Sequence, residues 1–221
     1  MRKRRWAWAV VIASVAAVAA ACSSSGSTPT SDESTGSAPG EVPEWPAPSD
    51  PMALARAAGL EPETAESLQF HVHAHLDVFV EGQEVTVPAA LGIDIENPGV
   101  RRFPDSPPGS GETAYGGIDP PCATPCISPL HTHDVSGIIH TESATRKYNT
   151  LDQLFTEWDV KLDENCVSTY CKPETDIAIY VSGRRFTGDP RTIPLTNFKE
   201  IAIVIGAPPP EIPSVGDFSA L

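Results

Sequence analysis

Apolar and polar residues alternate most cleanly over residues 69–81. Phe70, Val72, Ala74, Leu76, Val78 and Val80 take one parity, and Gln69, His71, His73, His75 and Asp77 take the other. Extended backbone sends successive side chains to opposite faces. The segment therefore predicts a strand with an apolar core face and a row of imidazoles ending in a carboxylate. Glu81-Gly82-Gln83 reads as a turn and Glu84 to Pro88 as a returning strand, which predicts a hairpin over 69–95. Upstream, Asp50 as N-cap, Pro51 at the first helical position and Gly59 at the exit bracket a short helix. Downstream, Ile138 to Ser143 predicts a second strand. Thr150 then opens the strongest helix signal. Gln153 stands at capping-box spacing, and Leu151, Leu154, Phe155 and Trp158 form one apolar stripe. Ile177 to Val181 predicts a strand, Ser182-Gly183-Arg184 a turn, and Ile201 to Ile205 a buried strand without polar interruption. Residues 96–129 are rich in Pro and Gly and hold no apolar period, so they predict a long insert.

The order is hairpin, insert, strand, helix, strand, strand. It resembles the β-grasp architecture over roughly residues 70–206, implying an α+β domain whose mixed sheet packs on one main helix. A jelly-roll or cupin-like barrel is the alternative, disfavoured by the single well-formed helix and the low strand count. Fold alone does not assign function.

The ends of the chain change the picture. Arg2, Lys3, Arg4 and Arg5 precede an apolar run from Trp6 to Ala20, too short for a comfortable membrane span, and Ala-Ala-Ala-Cys follows at 19–22. This resembles the lipobox of bacterial lipoproteins, with Ala19 where that pattern usually has Leu. The resemblance implies a signal peptide over 1–21 and lipidation of Cys22. It also implies a protein held at the extracytoplasmic face of the cell membrane through its lipid anchor only. Ser23 to Gly40 is a Ser/Thr/Gly/Pro run, and residues 22–49 read as lipidated cysteine plus flexible tether. The folded domain is then expected over 50–221. The first 21 residues carry four of the 15 basic residues and none of the 29 acidic ones, so the remainder is more acidic than the formal net charge of −14. Such a charge argues against nucleic acid and against binding to anionic headgroups.

Beyond Cys22 there are four cysteines: Cys122 and Cys126 in CATPC, Cys166 and Cys171 in CVSTYC. An even number in an exported chain points to disulfides. Three connectivities are open. Short-range pairing, 122 with 126 and 166 with 171, is preferred because each pair brackets a Pro- or turn-rich loop. A thiolate ligand is the alternative for Cys126, five residues before His131.

All six histidines fall in two clusters, FHVHAHLD and LHTHDVSGIIH. Imidazole is the commonest metal ligand and binds when neutral. His71 and His73, like His131 and His133, stand at i and i+2, and two H-x-H pairs facing each other make a site. His71, His73, His75, His131 and His133 are the first candidates. His140 is equally well read as a ligand or a packed core histidine. Asp77, Asp134 and Glu142 are candidates to orient ligand imidazoles through the other ring nitrogen, against an ordinary reading as turn or surface carboxylates. After residue 21 the chain has one methionine, Met52, and its cysteines are expected to be oxidised. A nitrogen-dominated site suits a copper or zinc ion, Cu(II) or Zn(II).

FHVHAHLD at 70–77 resembles the FHVHxxGD segment of copper–zinc superoxide dismutases, by which His71 and His73 would match copper ligands. Leu76 replaces the glycine, and the downstream glycine-rich zinc loop and closing arginine segment are missing, so the match reads as convergence of an H-x-H strand. The HVHAHLD and HTHDxxGIIH strings resemble those of a family of His-rich actinobacterial-type lipoproteins, a likeness that brings no activity with it. No G-x-S-x-G, phosphate-cradling loop or H-E-x-x-H is present. The expectation is thus a membrane-tethered metal-binding protein for metal capture, buffering or delivery. The alternatives are a copper redox enzyme using the same site, and an interaction module with structural or pH-sensing histidines and an unspecified protein partner.

Overall fold

A computed structural model of the chain describes residues 42–214 and 218. The expected signal peptide, Cys22 as expected lipidation site, and most of the expected tether lie outside the described residues. Asp50 accepts a hydrogen bond from the Ala53 amide and Pro51 takes the first position of α1 (Pro51–Ala57). Next come β1 (Phe70–Val80) and β2 (Gln83–Val85), joined at Glu81-Gly82. The insert carries β3 (Arg101–Pro104) and β4 (Thr113–Gly116), which pair only with each other. After it run β5 (Leu130–His131), β6 (Ile138–Ser143) and α2 (Leu151–Glu157). Helix α2 starts with the full capping box, Thr150 accepting from the Gln153 amide and Gln153 from the Thr150 amide. The chain continues through β7 (Cys166–Val167), β8 (Tyr170–Cys171), β9 (Ile177–Val181), β10 (Arg184–Phe186) and β11 (Lys199–Ile205).

The result is a mixed α+β fold. Its main sheet runs in the order β10-β9-β11-β1-β6-β5, with β2 also on β1. Strand β1 pairs parallel with β11 and antiparallel with β6 and β2. Its even-numbered face fills the core: Ala74, Leu76, Val78 and Val80 pack in one cluster with Leu151, Leu154, Phe155 and Trp158 around α2 and with Ile201, Ile203 and Ile205 of β11. Burying an aliphatic side chain of this size is worth about 1.5–3 kcal/mol, so this face supplies much of the domain's stability.

Two expectations are corrected. The hairpin does not reach residue 95, because β1 pairs with β2 only over Val78–Val80 and Gln83–Val85. Pro88 lacks an amide for a sheet ladder, and Ala90 turns at φ +64 toward the insert. The insert is a stapled one, as its two cysteines predict: β3–β4 and the Cys122–Cys126 disulfide frame a small core with Ala90, Ile93, Val100, Ile118 and Ile127. Its strands gave no apolar signal because Arg101–Pro104 is exposed along its length. Finally, residues 42–49 are not all tether. Trp45 stacks edge-on against Trp158, with centroids 5.8 Å apart, and its carbonyl accepts from the Trp158 indole. A single aromatic among prolines carries no period, so composition hid this contact. The second disulfide joins Cys166 to Cys171, so both pairings are the short-range ones.

Candidate metal centre

Three neighbouring strands build the site. The β1–β6 register sets His73 opposite His140 and His71 opposite Glu142, and the β6–β5 register sets His140 opposite His131. Paired residues on adjacent strands point to the same side of a sheet. The odd-numbered face of β1 thus meets the even-numbered positions of β6 and joins them in one polar patch, opposite the core. Thr132, between His131 and His133, is fully buried; its hydroxyl donates to the Pro88 carbonyl and accepts from the Leu91 amide. The His73 amide donates to Asn197 Oδ1 and its carbonyl accepts from the Phe198 amide, which fixes that residue from the β11 side.

Glu142 is the hub. Its Oε1 lies 3.1 Å from His71 Nε2, 3.2 Å from His140 Nδ1, and 3.9 Å from both His131 Nε2 and His133 Nε2. His71 Nε2 is in turn 2.7 Å from His73 Nε2. The ring of His140 is sandwiched between those of His71 and His131, at centroid separations of 5.8 and 5.5 Å. Such donor spacings match the edges of a coordination polyhedron around an ion with bonds of about 2.0–2.2 Å.

The second ring nitrogens settle which atoms face inward. His131 Nδ1–H donates to the Ser128 carbonyl at 2.8 Å, and His133 Nδ1–H to the Tyr115 carbonyl at 2.6 Å. Each ring therefore aims its Nε2 at Glu142, as a bare lone pair on His131 and, on His133, as an N–H bonded to the carboxylate that an incoming ion would displace. Nε2 of His131 and Oε2 of Glu142 are buried without a hydrogen-bond partner. Buried polar atoms are rarely left so, and both point to a cation as the missing partner. The insert serves the site here. Tyr115 ends in Gly116, where a Cβ would stand 2.6 Å from His133 Nδ1, so only glycine lets the carbonyl come so close.

Electrostatics prepare the same state. Burial would raise Glu142, but hydrogen bonds to His133 and His140 hold it far below the usual carboxylate range, so it is an anion. Burial, aided by His133 and His140, drives His131 well below the ordinary imidazole value, and burial also lowers His140. His73 falls to about 4 through burial and its neighbours His140 and His71. His133 alone of the group is raised, its bonds to Glu142 and to the Tyr115 carbonyl outweighing burial. His73, His131 and His140, held neutral beside a carboxylate, are donors a divalent ion can take as they stand, whereas His133 would release its proton on binding.

Donor atoms of His131, His133, His140 and Glu142 lie within 4.8 Å of one another, as do those of His71, His73 and His140. The other candidates stand apart. His75 shares the strand and the face, yet its Nε2–H donates to the Ser136 carbonyl at 2.9 Å and its Nδ1 lies 3.3 Å from Asp77. Burial lowers its pKa, but Asp77 and Ser136 more than offset this and the value ends raised. With both nitrogens facing oxygen acceptors, His75 belongs to neither set. Asp77 is engaged with His75, and Asp134 accepts from the Ser136 amide within the turn, so neither orients a ligand. Cys126 is in its disulfide. Glu142, read from sequence as at most a supporting carboxylate, stands at the centre. Its signal was the i+2 spacing from His140 on one strand face. Comparison with protein-family models, curated proteins and solved structures finds no match, so function must be argued from this geometry.

Proposed function

We propose that this chain is a metal-binding protein whose centre, built from His71, His73, His131, His133, His140 and Glu142, takes Cu(II) or Zn(II). The carrying observation is the convergence of imidazole nitrogens on one buried carboxylate, with the Nδ1–H groups of His131 and His133 spent on backbone carbonyls. Five nitrogens and one oxygen form a borderline-to-hard donor set, and the disulfides remove the soft thiolates. Through a lipid on Cys22 the protein would stand at the outer face of the membrane and capture, buffer or deliver the ion. The lipobox-like 19–22 segment and the tether after it support that placement. The likeness to His-rich lipoproteins fits it. A grasp-like fold is supported by the first long strand lying parallel to the last, with α2 packed on the far face.

A copper redox enzyme is the second reading, favoured by the graded burial of the site. Glu142 and His131 side chains are 4% and 1% exposed, whereas His71 is 34% exposed and offers an approach from solvent. The test is the metal content of the full chain after equilibration with Cu(II) or Zn(II) and dialysis, beside a His73→Ala/His133→Ala variant. Near-stoichiometric metal that the variant loses supports the reading; no retained metal in the wild-type chain ends it.

A further inference from the structure

The six donor residues do not fall into one group within 4.8 Å of one another, although His71 Nε2 comes within 3.1 Å of Glu142 Oε1. Two ligands of a single ion can stand at most about 4.2 Å apart, twice a bond of about 2.1 Å. The six donors instead divide into an inner set, His131, His133, His140 and Glu142, and an outer set, His71, His73 and His140, each grouped within 4.8 Å. His140 is common to both. Its Nδ1 faces Glu142 at 3.2 Å, and its ring centroid lies 4.5 Å from that of His73 and 4.3 Å from that of His133. It is the middle residue of the row His73–His140–His131 across three strands, so no other imidazole is placed to serve both neighbours.

We infer that the centre holds two divalent cations, one per set, sharing His140 as an imidazolate with one ion on each ring nitrogen and its ring proton released to solvent on loading. The inference rests on the metal-binding reading above and deepens it. The inner ion has four protein ligands, three of them buried, and is the retained one. The outer ion has at most three imidazole ligands, with His71 the most exposed of them, and completes its shell from solvent. It is the exchangeable ion, and the position where a small donor molecule or an accepting protein would bind.

Titration of the full chain with Zn(II), read by calorimetry and by metal analysis after dialysis, should give two equivalents of unequal affinity. The weaker should be stripped first by a graded chelator. His71→Ala/His73→Ala should bind one equivalent. The milder His71→Gln, at an exposed ring, should weaken only the second. With Cu(II), one equivalent should give an ordinary isolated-ion paramagnetic spectrum, and the second should broaden or quench it through coupling across the shared residue. One equivalent at saturation in the wild-type chain would overturn the two-ion inference and leave the proposed function standing; none would end both. Two equivalents retained in His71→Ala/His73→Ala would mark the second as adventitious. Two uncoupled Cu(II) ions, or coupling that survives His140→Ala, would overturn the sharing.

Discussion

His73 and His75 stand on the same face of the same strand, two residues apart, and do opposite things. His73 is held neutral, beside two other imidazoles, with its pKa down at about 4. His75 is raised, closed off by the Ser136 carbonyl and Asp77. The strand is blind to the difference. It is made by what lies across the ladder: His140 opposite His73, but Ile138 opposite His75, where the 134–137 turn folds over the ring. A repeated motif supplies the side chains, and the neighbouring strand decides which are placed to hold an ion.

The sharpest test of that contrast removes the partners from across the ladder. His140→Ala or Glu142→Ala should lower metal affinity by well over the roughly 100-fold that loss of an outer-shell partner costs, measured by competition with a chelator. Retained affinity would mean the β6 residues do not select the ligands. Gly116→Ala should displace His133 or the Tyr115 carbonyl and weaken the inner ion by about 10- to 100-fold, with the Cys122–Cys126 disulfide intact. His75→Ala should leave affinity unchanged but cost about 1–3 kcal/mol in denaturant unfolding, since Asp77 is then buried without its partner. Metal loss in that variant would erase the distinction between the two histidines.

The smallest effect is in pH, and its sign separates the two. His75 is raised in the folded state, so its contribution is full below the ordinary imidazole value of 6.5 and is lost as pH rises through its folded value. His73 is lowered, so the unfolded chain takes the extra proton first and metal-free stability falls as pH drops from 6.5 toward 4. His131 and His140 act in the same sense as His73. In metal-free chemical denaturation between pH 4 and 8, His73→Gln should flatten the acid-side loss, whereas His75→Gln should steepen it. Parallel profiles for the two variants would refute the assignment.

Much of this was legible in the sequence, and the gaps have physical causes. Strand β1, the Thr150 capping box, Ile138–Ser143 and Ile177–Val181 were readable because each is local: a parity, a cap, an apolar run. The two H-x-H pairs were readable for the same reason. What was hidden depends on pairs distant in the chain. His75 and His73 have the same local signal, and Glu142 has almost none, so only the β1–β6 register separates them. The Trp45–Trp158 contact and the exposed β3–β4 pair were hidden because a lone aromatic and a short polar strand leave no period to detect.

The candidate ligands come from β1 on one side of the insert and from β5, the segment after it and β6 on the other. An ion held by both groups would therefore be a cross-link, closing the intervening loop as a bridge between distant cysteines would. The chain-entropy cost of closing such a loop grows only slowly with its length, and the unfolded chain offers no preformed site to compete for the ion. Metal loading would thus be coupled to folding itself. Below saturation, ambient metal concentration would set how firmly the insert is fastened to the sheet, and an emptied protein would differ from a filled one first in the protease resistance of residues 96–129.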